Sequence, residues 1–142
     1  MLSQKGDGHM QRNWDLIRDL LEEIDLHPDF HIDKPYKPSI GTGKLINASA
    51  DEVAYHLTLL EGAGMLIVPK VEMLGGYIGS RTTWRTEIVV GLSWAGQEFL
   101  ASIRDESIWK KVKEKIAKHG QAVTFALITG VASSLIAARI AA

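Results

Sequence analysis

Lys110, Lys111, Lys113, Lys115 and Lys118 fall within nine residues and form the densest charge run in the chain. Such a run reads in two ways. It is either a solvated helix face or an anion-facing patch for nucleic acid, an acidic partner or lipid headgroups. Other reactive side chains are scattered. His27 and His31 are four residues apart, but Pro28 between them denies a shared helix face. With Asp29 and Asp33 they read as a polar loop rather than a metal site. Gly41-Thr42-Gly43-Lys44 holds a fragment of a phosphate-binding loop without its full spacing. The adjacent acids Glu22-Glu23 and Asp51-Glu52 lie in predicted helices, point in different directions and make no acid/base dyad. Ser49 and Ser93 are accounted for as helix caps. No nucleophile, base and orienting group come together, so no enzyme, cofactor or metal is expected.

Composition narrows the classes further. The chain has 142 residues, 46% hydrophobic and 23% charged, as expected for one globular domain with an appended helical region. There is no cysteine, which removes disulfides, thiolate catalysis and Cys-ligated metals together. The net charge of −1 excludes a histone-like polycation. Charge is nevertheless uneven. Residues 1–62 carry 6 Lys/Arg against 11 Asp/Glu, and residues 63–142 carry 10 against 6. Residues 1–11 read as a disordered tail or cloning scar. They lack a basic segment followed by an apolar stretch, so a cytoplasmic protein is expected.

The elements that must position these residues follow from periodicity. Asn13 caps a helix with Trp14, Ile17, Leu20, Leu21 and Ile24 on one face, and Pro28 ends it. Residues 28–44 are irregular, with a short strand expected around Lys44–Ala48. Ser49-Ala50-Asp51-Glu52 is a capping box opening a second helix, with Val53, Leu57 and Leu60 buried and Gly64 suited to a left-handed stop. Strands are expected over Met65–Leu74 and Arg85–Leu92, joined by the glycine-rich turn 75–80. Ser93 caps a helical stretch from Trp94 to Lys118, which Asp105–Ser107 either kinks or splits. Thr124 caps a last helix through Ile140. The expected fold class is α+β, a winged helix (helix, short strand, helix, two-stranded wing) over 12–93 with a C-terminal helical extension over 94–142.

Two resemblances bear on this order. Val53-Ala54-Tyr55-His56-Leu57 through Ala63-Gly64-Met65-Leu66 resembles the recognition helix and following turn of ArsR- and MarR-type winged-helix repressors. A wider set runs through most of the chain: Trp14-Asp15-Leu16-Ile17-Arg18, Leu92-Ser93-Trp94-Ala95-Gly96-Gln97-Glu98-Phe99-Leu100 and Trp109-Lys110-Lys111-Val112-Lys113-Glu114-Lys115. Together these resemble the small prophage and bacterial family called domain of unknown function 2513. The resemblance implies a winged-helix domain with C-terminal helices and no established activity.

The expected function is that of a phage- or prophage-type DNA-binding transcriptional regulator, which would place the second helix in the major groove. Tyr55 and Thr58 would touch bases there, and Arg81, Thr83 and Arg85 of the wing would meet phosphate or the minor groove. The outward residues Asp51, Glu52, Ala54, Tyr55 and Thr58 include two acids and no cation, and His56 reads as a partly buried structural histidine. The alternative is a protein-interaction module with the same fold and no DNA binding, which the acidic first half favours. The uncharged segment 121–138 must be buried somewhere. Homodimer packing through Phe125, Ile128, Val131, Leu135 and Ile136 is the expected solution, with packing inside the chain and membrane contact as alternatives, the last not favoured. Homodimerisation would double any DNA contacts.

Overall fold

The computed structural model describes residues 11–27, 38, 40–68, 89–118 and 123–141. Among these it is a mixed α+β structure of five α-helices and a small two-stranded antiparallel sheet. The described residues fall into two compact units, one within residues 1–96 and one within 97–142.

In the first unit, helix α1 (Trp14–Asp25) begins where the Asn13 side-chain oxygen accepts the Leu16 N–H at 3.1 Å. Leu16, Ile17, Leu20, Leu21 and Ile24 are buried as one stripe. This stripe packs against α2, against β2 and against a single 3-10 turn at Gly43–Leu45. That turn replaces the strand expected over Lys44–Ala48. The reason is local hydrogen bonding. Gly41 and Gly43 take positive φ, the Leu45 N–H donates to Thr42, and the Leu45 carbonyl accepts from both Gly41 and Ala48. The turn thus uses up the backbone groups a ladder would need, while the Leu45 side chain is fully buried.

Helix α2 (Ala50–Gly62) carries the complete capping box. The Ser49 hydroxyl accepts from Glu52 N–H at 3.1 Å, and the Glu52 carboxylate accepts from Ser49 N–H at 3.0 Å. Val53, His56, Leu57 and Leu60 are buried. Gly64, at φ +79°, closes the helix: Met65 N–H donates to Leu60 and Gly64 N–H to Glu61. The chain enters β1 (Leu66–Ile67), which pairs antiparallel with β2 (Gly91–Leu92), Leu66 opposite Leu92 and Ile67 opposite Gly91. The outer parts of both expected strands, and the turn between them, lie outside the described residues.

Helix α3 (Trp94–Ile103) starts in the first unit and continues into the second. The Ser93 hydroxyl accepts from Gly96 N–H at 3.1 Å and donates to the Gly64 carbonyl. A Cβ on Gly96 would overlap the Met65 carbonyl oxygen and lie 3.2 Å from its carbon, so only glycine permits this approach.

The stretch 94–118 is split, one of the two expected outcomes, and the break falls in the second unit. Asp105 accepts the Ile108 N–H at 3.0 Å and caps a new helix, α4 (Glu106–Ala117). Thr124 caps α5 (Phe125–Ala141) through Leu127 N–H at 3.1 Å. Helices α4 and α5 pack together, burying Ile108, Trp109 and Val112 of one and Ile128 and Ala132 of the other. Phe99 and Phe125 meet edge to face, ring centres 4.7 Å apart.

Candidate functional site

The outward side of α2 is opposite its buried stripe and runs Asp51, Tyr55, Thr58 and Gly62. Asp51, Thr58 and Gly62 are exposed, and Tyr55, Leu59 and Glu61 are half-buried. Residues 50–62 contain three acids and no lysine or arginine. The Thr58 hydroxyl donates to the Ala54 carbonyl at 2.9 Å, so its proton is committed within the helix. Tyr55 lies edge-on to the His56 ring, with centres 5.1 Å apart.

His56 is more deeply set than a partly buried residue, at 1% exposure. It clamps the start of α1 to α2. Its Nε2 accepts the Asn13 backbone N–H at 2.9 Å, and its Nδ1 lies 2.8 Å from the Glu52 carbonyl. An amide can only donate and a carbonyl only accept, so the proton sits on Nδ1 and the ring is neutral. Burial pushes its pKa down, against the Glu52 carbonyl and carboxylate, which pull it up.

Trp94 follows Ser93, whose hydroxyl bonds the Gly64 carbonyl just past α2, and is 81% exposed. Helical spacing points to it: at about 100° per residue, Phe99, Leu100 and Ile103 lie on the side of α3 away from Trp94.

The other candidates distribute as follows. Arg81, Thr83 and Arg85 lie outside the described residues. Lys110, Lys111, Lys113, Lys115 and Lys118 are all exposed, along α4 and its C-terminal cap. Lys113 extends over the Trp109 ring, 5.8 Å from its centre. Lys44, from the phosphate-loop fragment, instead pairs with Glu22 at 3.2 Å. Ile128 is fully buried in its own unit, so it belongs to a core rather than to a surface. Phe125, Val131, Leu135 and Ile136 are half-exposed on α5. Arg139, near the end of α5, reaches the α4 cap: it bonds Asp105 at 3.2 Å and the Ser107 hydroxyl at 2.6 Å. The Ile108 N–H, the Ser107 hydroxyl and Arg139 hold the Asp105 carboxyl well below the usual carboxylate range. Among the described residues, no helix is long and apolar enough to cross a membrane, and no three His or acidic side chains gather as a metal site.

Comparison with known proteins places these features in a family. The family model described as hypothetical protein (DUF2513) matches residues 11–122. The chain belongs to the DUF2513 family. A relative in Haemophilus influenzae, an uncharacterized protein, is 26% identical over 132 residues, covering 93% of this DUF2513 chain and all of the relative. No solved structure matches the chain. The DUF2513 match includes α1, α2, the sheet, α3 and α4, and ends before α5.

Proposed function

We propose that this DUF2513 chain is a protein-interaction module of winged-helix type, docking a basic partner on the outward face of α2 and on Trp94. The order helix, helix, two-stranded sheet underlies the winged-helix reading. Trp94 carries the docking reading: a tryptophan 81% exposed, next in the chain to Ser93, whose hydroxyl bonds the Gly64 carbonyl just past the end of α2. Tryptophan and tyrosine are enriched among residues that dominate binding energy, and they act where a partner desolvates them. Asp51 and Glu52, one turn before Tyr55, favour lysine or arginine on that partner and repel phosphate.

A DNA-binding transcriptional regulator is the second reading. It rests on Arg81, Thr83 and Arg85, which bring cations and a hydroxyl together in the sequence where a wing is expected. It asks α2 to enter a phosphate-lined groove with three acids and no cation of its own.

A photoreactive amino acid at position 58 of the full chain separates the two. In the cell that encodes the protein, the docking reading expects a protein adduct at position 58 that Trp94→Ala abolishes. A nuclease-sensitive adduct at that position supports the DNA reading instead, and no adduct refutes both.

A further inference from the structure

We propose that the solvent side of α4 is a second binding surface, one that contacts the phosphate backbone of duplex nucleic acid without reading its sequence. The inference stands apart from the α2 face and rests on how charge is ordered along α4.

Residues four apart stack on one line of a helix. One line of α4 reads Glu106, Lys110, Glu114, Lys118, alternating in sign, with each glutamate four residues before a lysine, the favourable order. Charge on this line is largely compensated. The neighbouring line reads Ser107, Lys111, Lys115 and contains no acid. Residues three apart adjoin as well, so Lys118 adds to Lys115 while Glu114 partly offsets Lys111. Lys111 and Lys115 are both exposed and about 6 Å apart along the axis, from a rise of about 1.5 Å per residue. The described residues of the first unit are acidic on balance, so α4 concentrates the basic surface of the described structure.

The chemistry of the surface selects among polyanions. Ile108, Trp109 and Val112 face inward, Ile116 is half-buried, and no large apolar side chain of α4 is exposed. A membrane-surface helix buries apolar side chains below the headgroups, and α4 offers none. A protein partner needs a desolvated anchor, and the lysine side has no aromatic or large aliphatic group. What remains is a purely ionic surface. Its best match is the polyanion of greatest linear charge density, the duplex, with one charge per about 1.7 Å of axis.

The test is fluorescence anisotropy of a labelled random-sequence 25-base-pair duplex titrated with the full chain. Three or four lysines meeting phosphate give a log–log salt slope of about −3, and hence a loss of roughly sixtyfold between 50 and 200 mM salt. Lys111→Gln with Lys115→Gln should bring the slope to about −1, and the Glu versions should abolish binding. Tyr55→Ala and Trp94→Ala should leave duplex binding unchanged, so failure here and failure of the docking reading are distinguishable. The proposal is overturned by absence of binding at 50 mM salt. It is overturned equally by binding that survives the α4 changes but is lost in Arg81→Ala with Arg85→Ala. Vesicles with 30% phosphatidylserine that bind the chain more tightly than the duplex would reassign the surface to lipid. Displacement of the duplex by polyglutamate at equal charge would reassign it to an acidic protein.

Discussion

Lowering the pH should loosen the first unit through one residue, His56. The ring is 1% exposed and neutral, with Nδ1–H donated to the Glu52 carbonyl and Nε2 accepting from Asn13 N–H. A second proton would set Nε2–H against that N–H, donor against donor. Burial lowers the folded-state pKa, so the native protein resists a proton that the unfolded chain accepts near pH 6.5. Stability is therefore full above about pH 6.5 and falls as pH drops below it. Between pH 7.5 and 5.5 the unfolded chain gains most of one proton, so the loss from this site is at most about 1.4 kcal/mol. His56→Gln keeps one donor and one acceptor but cannot titrate. Its stability should change less than that of the wild type across the same interval, and the difference isolates His56 from the other four histidines. His56→Leu loses both hydrogen bonds and should cost about 1–3 kcal/mol at pH 7.5. Urea denaturation followed by circular dichroism at the two pH values measures all three proteins. Equal pH dependence in wild type and His56→Gln would refute the reasoning, as would a His56→Leu protein as stable as the wild type.

Three further predictions use other parts of the fold. Gly96→Ala drives a methyl group into the Met65 carbonyl and should destabilise by about 1–3 kcal/mol, whereas Gly130→Ala, exposed on α5 with open space around it, should stabilise by about 1 kcal/mol in the same thermal melt. Ser49→Ala removes half of the capping box and should cost about 1 kcal/mol, with faster amide exchange at Glu52. Arg139→Leu removes the ionic tie between the end of α5 and the α4 cap. Exchange should quicken in the last turn of α5, and acid should produce the same effect in the wild type as Asp105 takes up a proton far below its ordinary range.

The parts of this fold that local chemistry decides were legible in the chain. Asn13 and the Ser49–Glu52 box mark helix starts because a cap needs only residues within three of itself, and Gly64 marks a stop for the same reason. The Asp105 break was legible as an ambiguity, since an aspartate bends or caps according to whether the next turn packs. The strand expected around Lys44–Ala48 is not formed, because the local bonds around Leu45 take the backbone groups a ladder would need. Contacts distant in sequence left no trace. Asn13 meets His56 across 43 residues, and Asp105 meets Arg139 across 34. Periodicity records which face is apolar, not which element covers it. On the candidate surfaces, the acidic character of α2 and the lysines of α4 were plain from composition. The internal hydrogen bond of Thr58 required coordinates.

Whether α2 faces a protein is decided by placing the same photoreactive amino acid at position 58 or position 114 of the full chain, in the cell that encodes it, and treating the adducts with nuclease or protease. A nuclease-resistant, protease-sensitive adduct is expected at position 58 and a nuclease-sensitive one at position 114, where Lys111 and Lys115 stay in place. A nuclease-sensitive adduct at position 58 would contradict this expectation and return α2 to the major groove.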